Sequence, residues 1–562
     1  MRKKNLIKVD SLKFFLVLTI VSFSFFLLRG FRAQADSITT ITTSVTIGNN
    51  SPYFSSGPIE DPAVTSTSPA NIGDLVTFKA TGTDGNGEDY YLLVCSTDSA
   101  TAVNNNIPYC SGGSTYCTST ITASGSQATC TYTTQTSDSF SNTWYAFVCD
   151  TNSTEALCSE GNQGTGDSGS PFYVNHPPTF TDITNTSPAN PGGTITWNAT
   201  ASDPDSNTVK LLVCKTNSIT NGACTSGEWC SSTLSSSNPS CTYNIPSVTP
   251  DGSSDAYAFI VDQYNKPSTD ATQGSNSYFT VNNVAPVVSA VTLNSNSAIV
   301  LTEATTTSVS VTATVTDNNS CYGTEIDSVK AYAYRSGITY SNCNTVPGNN
   351  NNCYPEVSCS VVAGSCTDIT DSSADYTCSF NMQYHADPTD INTQFDAQNW
   401  LATVKATDDD SSGHSAESSS GVELNSLVAF SIGASISYGS LGVGQANDPL
   451  DRTLVTTATG NVGLDQEHSG ASEMCTDYPT CLGATPIPVG YQRYGLSAVA
   501  YSSGTVLTVT PVEVELNVPK VTTSTPTTGT TWWGISIPTG IVAGTYNGAN
   551  TITAVKGEIA NW

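Results

Sequence analysis

One pattern constrains this chain more than any other: an alternating segment that closes on an aspartate is written three times. Val76, Phe78, Ala80 and Gly82 lead in steps of two to Asp84, Ile195, Trp197, Ala199 and Ala201 to Asp203, and Val309, Val311, Ala313 and Val315 to Asp317. A period of two puts such side chains on one face of a strand, so each segment predicts a half-buried strand that stops at an acidic turn. A second apolar run follows each turn, at 90–95, 209–214 and 329–334, and a late strand closes each repeat on Asp150, Asp262 and Asp408. No segment sustains helical periodicity. The expectation is an all-β chain of tandem β-sandwiches.

The compartment decides how the cysteines are read. Residues 1–13 are basic, 14–28 form a short apolar core, and Ala33-Gln34-Ala35 is a small-x-small cleavage site, which together predict a signal peptide over 1–35. An uncleaved N-terminal anchor is the alternative, although fifteen apolar residues are short for a span. Without 1–35 the chain keeps 11 basic and 46 acidic side chains, a formal charge of −35. A surface of that sign repels nucleic acid and anionic membranes and favours cations. Eighteen cysteines in an exported chain predict disulfides, and they fall in even groups of six, four, six and two. No C-x-x-C pair occurs, which argues against zinc.

Repeated signatures set the expected organisation. Thr67-Ser-Pro-Ala-Asn-Ile-Gly73 and Thr186-Ser-Pro-Ala-Asn-Pro-Gly192 open the first two repeats, and Phe172-Tyr-Val-Asn175 and Phe279-Thr-Val-Asn282 close them just before Pro-bearing joints. The reading is a spacer over 36–58, modules over 59–175, 176–284 and 285–426, and a C-terminal β-sandwich over 427–562; the third module carries a Cys-rich insertion over 341–378. Pro next to a last strand predicts short, stiff joints. Over most of 59–426 the order of alternating strand, acidic turn, strand and late strand ending in Asp resembles bacterial immunoglobulin-like repeats of the PKD and cadherin-like kind. That resemblance implies immunoglobulin-like sandwiches. The region from 427 resembles a C-terminal module of secreted microbial proteins with no established activity.

Cysteine correspondence carries a further expectation. Cys149 and Cys158 have no counterpart in the second repeat, so they are expected to pair, and Cys475 with Cys481 to close a small loop. Cys95, Cys110, Cys117 and Cys130 correspond to Cys214, Cys224, Cys230 and Cys241 and are expected to pair alike in both repeats, in a pattern the sequence leaves open.

Catalytic motifs are thin. Gly166-Asp-Ser-Gly-Ser-Pro171 is one residue from a serine-protease nucleophile motif, but no histidine precedes Ser168 to act as the base that fold requires. There is no H-E-x-x-H and no phosphate loop ahead of a helix. Trp532 and Trp533 offer a sugar platform only if both face outward, which a period-2 strand forbids. The one cofactor the residues suggest is calcium. If the opening, second and late strands are B, C and F of an immunoglobulin-like sandwich, the B–C and F–G loops share one end. That brings Asp84, Asn86 and Glu88 to Asp150, Asp203, Asp205 and Asn207 to Asp262, and Asp317 and Asn319 to Asp408, Asp409 and Asp410. Calcium takes about six to eight oxygen ligands, which such loops supply. Asp and Asn also form turns without any metal. The functional expectation is a non-enzymatic, exported structural or adhesion protein that meets a surface ligand, other envelope proteins or glycans. A carbohydrate-binding accessory protein and a secreted hydrolase are the alternatives.

Overall fold

The computed structural model describes residues 41–339, 341 and 351–562. The expected signal peptide, the start of the spacer and part of the Cys-rich insertion lie outside them. Two compact units make up the described chain, one built from the segment ending at Asp61 with Thr77–Tyr132 and Thr143–Ser170, the other from Pro62–Val76, Thr133–Asn142 and Pro171–Trp562.

In the first unit Tyr53–Glu60, Leu75–Thr83 and Gln127–Thr133 form one antiparallel sheet, and Tyr145–Asp150, Tyr90–Cys95 and Thr115–Thr118 form the other. Phe78 meets Trp144 edge to face at 5.1 Å between centroids. The Trp144 indole N–H donates to Glu60 Oε1 at 2.6 Å, so the polar end of a fully buried ring is satisfied.

The second unit contains the clearest sandwich. Thr179–Asn185, Thr194–Ser202 and Ser240–Asn244 make one sheet; Glu228–Ser231, Val209–Cys214, Tyr257–Asp262 and Ser275–Asn276 make the other. These are the A–B–E and C′–C–F–G halves of an immunoglobulin-like fold. Ile195, Trp197, Ala199 and Ala201 all point inward, and Trp197 packs edge to face on Phe279 at 5.7 Å. Val287–Leu293, Thr306–Thr316, Ser373–Gln383 and Ser360–Val361 repeat the first half, and Cys353–Ser358, Ile326–Arg335, Trp400–Asp408 and Gly413–Glu417 repeat the second.

Past these lies a two-sheet sandwich of different order. Phe430–Ile432, Arg452–Ala458, Thr528–Ile535, Gln492–Gly495 and Thr505–Val506 form one sheet, and Val512–Val518, Leu464–Gly470 and Asn550–Lys556 the other. Tyr384 joins Ala458, Val462, Leu464, Val518 and Val521 in one apolar cluster, so this sandwich shares core with the strands before it. A buried ionic trio reinforces that seam: Asp387 accepts from Arg335 Nε at 3.0 Å and from Lys520 Nζ at 2.8 Å.

Disulfides staple the loops. Cys95 bonds Cys110 and Cys117 bonds Cys130, and the second repeat has Cys214–Cys224 and Cys230–Cys241 in the same positions. Cys149–Cys158, Cys321–Cys366, Cys359–Cys378 and Cys475–Cys481 are also joined. Among the described residues no helix is long and apolar enough to cross a membrane.

Candidate functional site

Strand pairing gathers the acids. Tyr90 lies opposite Asp150, Val209 opposite Asp262 and Ile326 opposite Asp408, so the end of each late strand sits beside the turn that follows the opening strand. In each turn the closing aspartate uses Oδ1 to accept the backbone N–H two residues on, from Asn86 at 2.7 Å, Asp205 at 2.8 Å and Asn319 at 2.7 Å. The other oxygen, Oδ2 of Asp84, Asp203 and Asp317, is buried without a hydrogen-bond partner in all three repeats. These side chains are 5 %, 8 % and 1 % exposed. An orphaned carboxylate oxygen inside a protein carries a desolvation cost that a proton, a hydrogen-bond donor or a cation relieves.

An asparagine ahead of each repeat completes the pole. Asn49, Asn175 and Asn283 donate from Nδ2 to Oδ2 of Asp150, Asp262 and Asp408 at 2.7, 2.6 and 3.0 Å. The next backbone N–H, of Asn50, His176 and Val284, donates to the third turn residue, Asn86, Asp205 and Asn319, at 2.9, 2.7 and 2.6 Å. Each repeat therefore grips its incoming segment with the same Asp and Asn residues the sequence marks as cation ligands. The asparagines were not foreseen, although one closing signature ends on Asn175 and the other stops one residue short of Asn283.

The three poles differ in how many acids converge. In the first, carboxylate oxygens of Asp84, Glu88 and Asp150 lie within 4.8 Å of one another, and Glu88 Oε2 and Asn49 Oδ1 join Asp84 Oδ2 as buried atoms without partners. Asn86 instead turns its carbonyl to Asn50. In the second, Asp205 spends both oxygens on His176, including a 2.9 Å contact to Nδ1. Asp262 is held by Asn175, Tyr264 and Lys266, and Asn207 by Asn175 and Gln263. The second pole thus leaves Asp203 alone with a free oxygen. In the third, Asn319 is consumed by the joint and Asp408 by Asn283 and Ser412, while Asp409 converges within 4.8 Å on two acids outside the expected set, Asp251 and Glu325. Asp251 comes from a loop of the preceding repeat, a placement no reading within one repeat would find. Asp410 adds a charge that works on Asp251.

Protonation follows the crowding. Burial first, then the charges of Asp251, Asp409 and Asp317, push Glu325 up to about 7. Burial and the Asp408 and Asp251 charges push Asp317 up to about 6, against the bond from Asn319. Burial likewise raises Asp203, Asp262 and Glu88. The converging groups at the first and third poles are carboxylates, which fits a hard cation such as calcium and not a thiophilic one.

The aromatic pair departs from a sugar platform. Trp533 is fully buried, with His468 and Tyr494 at 5.0 and 5.4 Å, and only Trp532 reaches the surface.

No family model matches this chain, and no curated protein matches it. Among solved structures it is similar to the ectodomain of mouse nectin-like molecule 4, at 8 % identity over 64 % of this chain and 96 % of that one, TM-score 0.27. Protocadherin Gamma B2 cadherin domains 3–6 align at 12 % identity over 86 % and 98 %, also with TM-score 0.27. The N-terminal eight immunoglobulin domains of Down Syndrome Cell Adhesion Molecule align at 10 % identity over 91 % and 70 %, TM-score 0.15. Scores of this size carry no argument about function, and the fold assignment rests on strand order and the sandwich cores.

Proposed function

We propose that this is an exported structural or adhesion protein whose repeats clamp their incoming segments at acidic poles, two of which take a cation. The observation that carries the reading is the threefold recurrence of a buried, unpartnered Oδ2 on Asp84, Asp203 and Asp317, at the place where each incoming segment is clamped. Asp84, Glu88 and Asp150, with Asn49, would hold one calcium ion, and Asp251, Glu325, Asp409 and Asp317 a second. The second repeat relies on His176 for the same closure. When bound, the ion neutralises carboxylates that otherwise repel, and the joint then loses freedom of orientation.

The bacterial PKD and cadherin-like assignment, modules at the boundaries read from the sequence, and surface proteins or glycans as partners belong to the same proposal. Export is supported by the disulfides, which reducing compartments do not maintain. Fractionation tests the location: recovery from envelope or medium with cysteines oxidised supports the proposal, and recovery from cytosol with free thiols refutes it. For the joints, calcium should raise hydrogen-exchange protection at 49–50 and 283–284 in the full chain. Unchanged exchange there at millimolar calcium would remove the role assigned to the cation.

A further inference from the structure

A third carboxylate cluster among the described residues lies in the C-terminal sandwich, away from any repeat pole. Asp465 on Leu464–Gly470 is fully buried. Its Oδ1 accepts the Asn517 N–H at 2.6 Å, where the neighbouring strand bulges and Asn517 takes a positive φ of 53°. Its Oδ2 has no hydrogen-bond partner. One carboxylate oxygen each from Asp465, Glu515 and Glu558 lie within 4.8 Å of one another, Glu515 and Glu558 reaching in from the exposed side. The charges acting on Asp465 and Glu515 are those of other acids. Lys556, the nearest cation in sequence, turns away to Ser426 Oγ and the Ile391 carbonyl. The backbone keeps the space open: a Cβ on Gly557 would come within 2.9 Å of Asp465 Oδ2.

We infer that Asp465, Glu515 and Glu558 form a divalent-cation site, of calcium type, that staples the segment 557–562 to the sheet. A buried carboxylate with a free oxygen facing two exposed acids supplies one fixed ligand and two adaptable ones, and water completes the shell on the open side. Ligands from three separate backbone segments suit the irregular coordination of calcium better than the strict octahedron of magnesium. The site is independent of the reading of the repeat poles.

Trp562 makes the site separately observable. Its indole N–H donates to the Gly557 carbonyl at 2.9 Å, one residue from Glu558. Terbium, which occupies calcium sites and emits when a nearby indole is excited, is added to the full exported chain. The expected result is a tryptophan-excited emission component that millimolar calcium displaces, that Trp562→Phe removes, and whose terbium affinity falls at least tenfold in Glu515→Gln/Glu558→Gln. Both glutamates are exposed, so that variant tests the ligands without disturbing the core. Loss of the component in Asp84→Asn/Asp317→Asn instead would assign it to the poles and overturn the inference. Emission unaltered by Trp562→Phe or by the double glutamine variant would overturn it as well.

Discussion

Asn175→Ala should unfasten the joint into the second repeat. Asn175 is fully buried, donates to Asp262 Oδ2 at 2.6 Å and accepts from Asn207 Nδ2 at 3.2 Å. Truncation strands a carboxylate oxygen and an amide, both in residues under 10 % exposed. A bond to a charged group contributes about 1.5–3 kcal/mol and a neutral one about 1 kcal/mol, so the expected loss is about 3 kcal/mol. Asp262 keeps its turn bonds from Tyr264 and Lys266, which holds the loss near that figure. For a sandwich of roughly 100 residues this is a drop of about 10–15 °C in melting midpoint. The assay is calorimetry of the full chain without divalent cations, with hydrogen exchange to place the effect. Protection should fall in Tyr257–Asp262 and Val209–Cys214, whose registry ends at Asp262. An unchanged endotherm together with unchanged exchange in those two strands would refute the reasoning.

Further expectations follow the same logic. Cys149→Ser/Cys158→Ser should lower the stability of the first repeat by about 2–3 kcal/mol, and non-reducing peptide mapping of the wild type should recover the 149–158 bond; a bond from either cysteine to another repeat would contradict the structure. Asp387→Asn should cost about 3–5 kcal/mol by leaving Arg335 and Lys520 buried without their shared anion, whereas Lys520→Met should cost far less; equal losses would show that the trio is not the seam's anchor. Burial holds His468 down at about 4, so it stays neutral when folded but takes a proton near 6.5 when unfolded. Its contribution is therefore present above pH 6.5 and lost as pH falls toward 4, by about 3 kcal/mol in all. His468→Leu should flatten that acid limb, and parallel limbs in urea titrations of the two proteins would disprove the assignment.

The sequence showed the repeats because burial follows alternation: Ile195, Trp197, Ala199 and Ala201 pack inward while the residues between them do not. Cys149 and Cys158 were legible because both are missing together from the second repeat. Leu464–Gly470 was opaque for the opposite reason. It reads Leu-Asp-Gln-Glu-His-Ser-Gly, yet six of its seven residues are buried, because Gln466 donates to Thr456 Oγ1 and its carbonyl lies 2.8 Å from His468 Nε2. Polar residues that satisfy one another inside a core carry no periodic signal. Asp465 was missed with them. The acidic turns were visible, but their partners were not: Asn49, Asn283 and Asp251 come from segments outside the strand pattern that marks each repeat, Asn175 ends the closing strand of the repeat before its pole, and only the folded register brings them to the poles.

Calcium titration calorimetry of the full exported chain, beside Asp84→Asn/Asp317→Asn, tests the central claim most directly. The substitutions keep side-chain size and remove charge from Asp84, which converges with Glu88 and Asp150, and from Asp317, on which the charges of Asp408 and Asp251 act; both carry a buried oxygen without a hydrogen-bond partner. The wild type should give calcium-dependent heat at or below millimolar concentration, with at least two more sites filled than in the double variant. Identical isotherms for the two proteins, or no calcium-dependent heat from either, would reduce the poles to hydrogen-bonded turns and contradict the account.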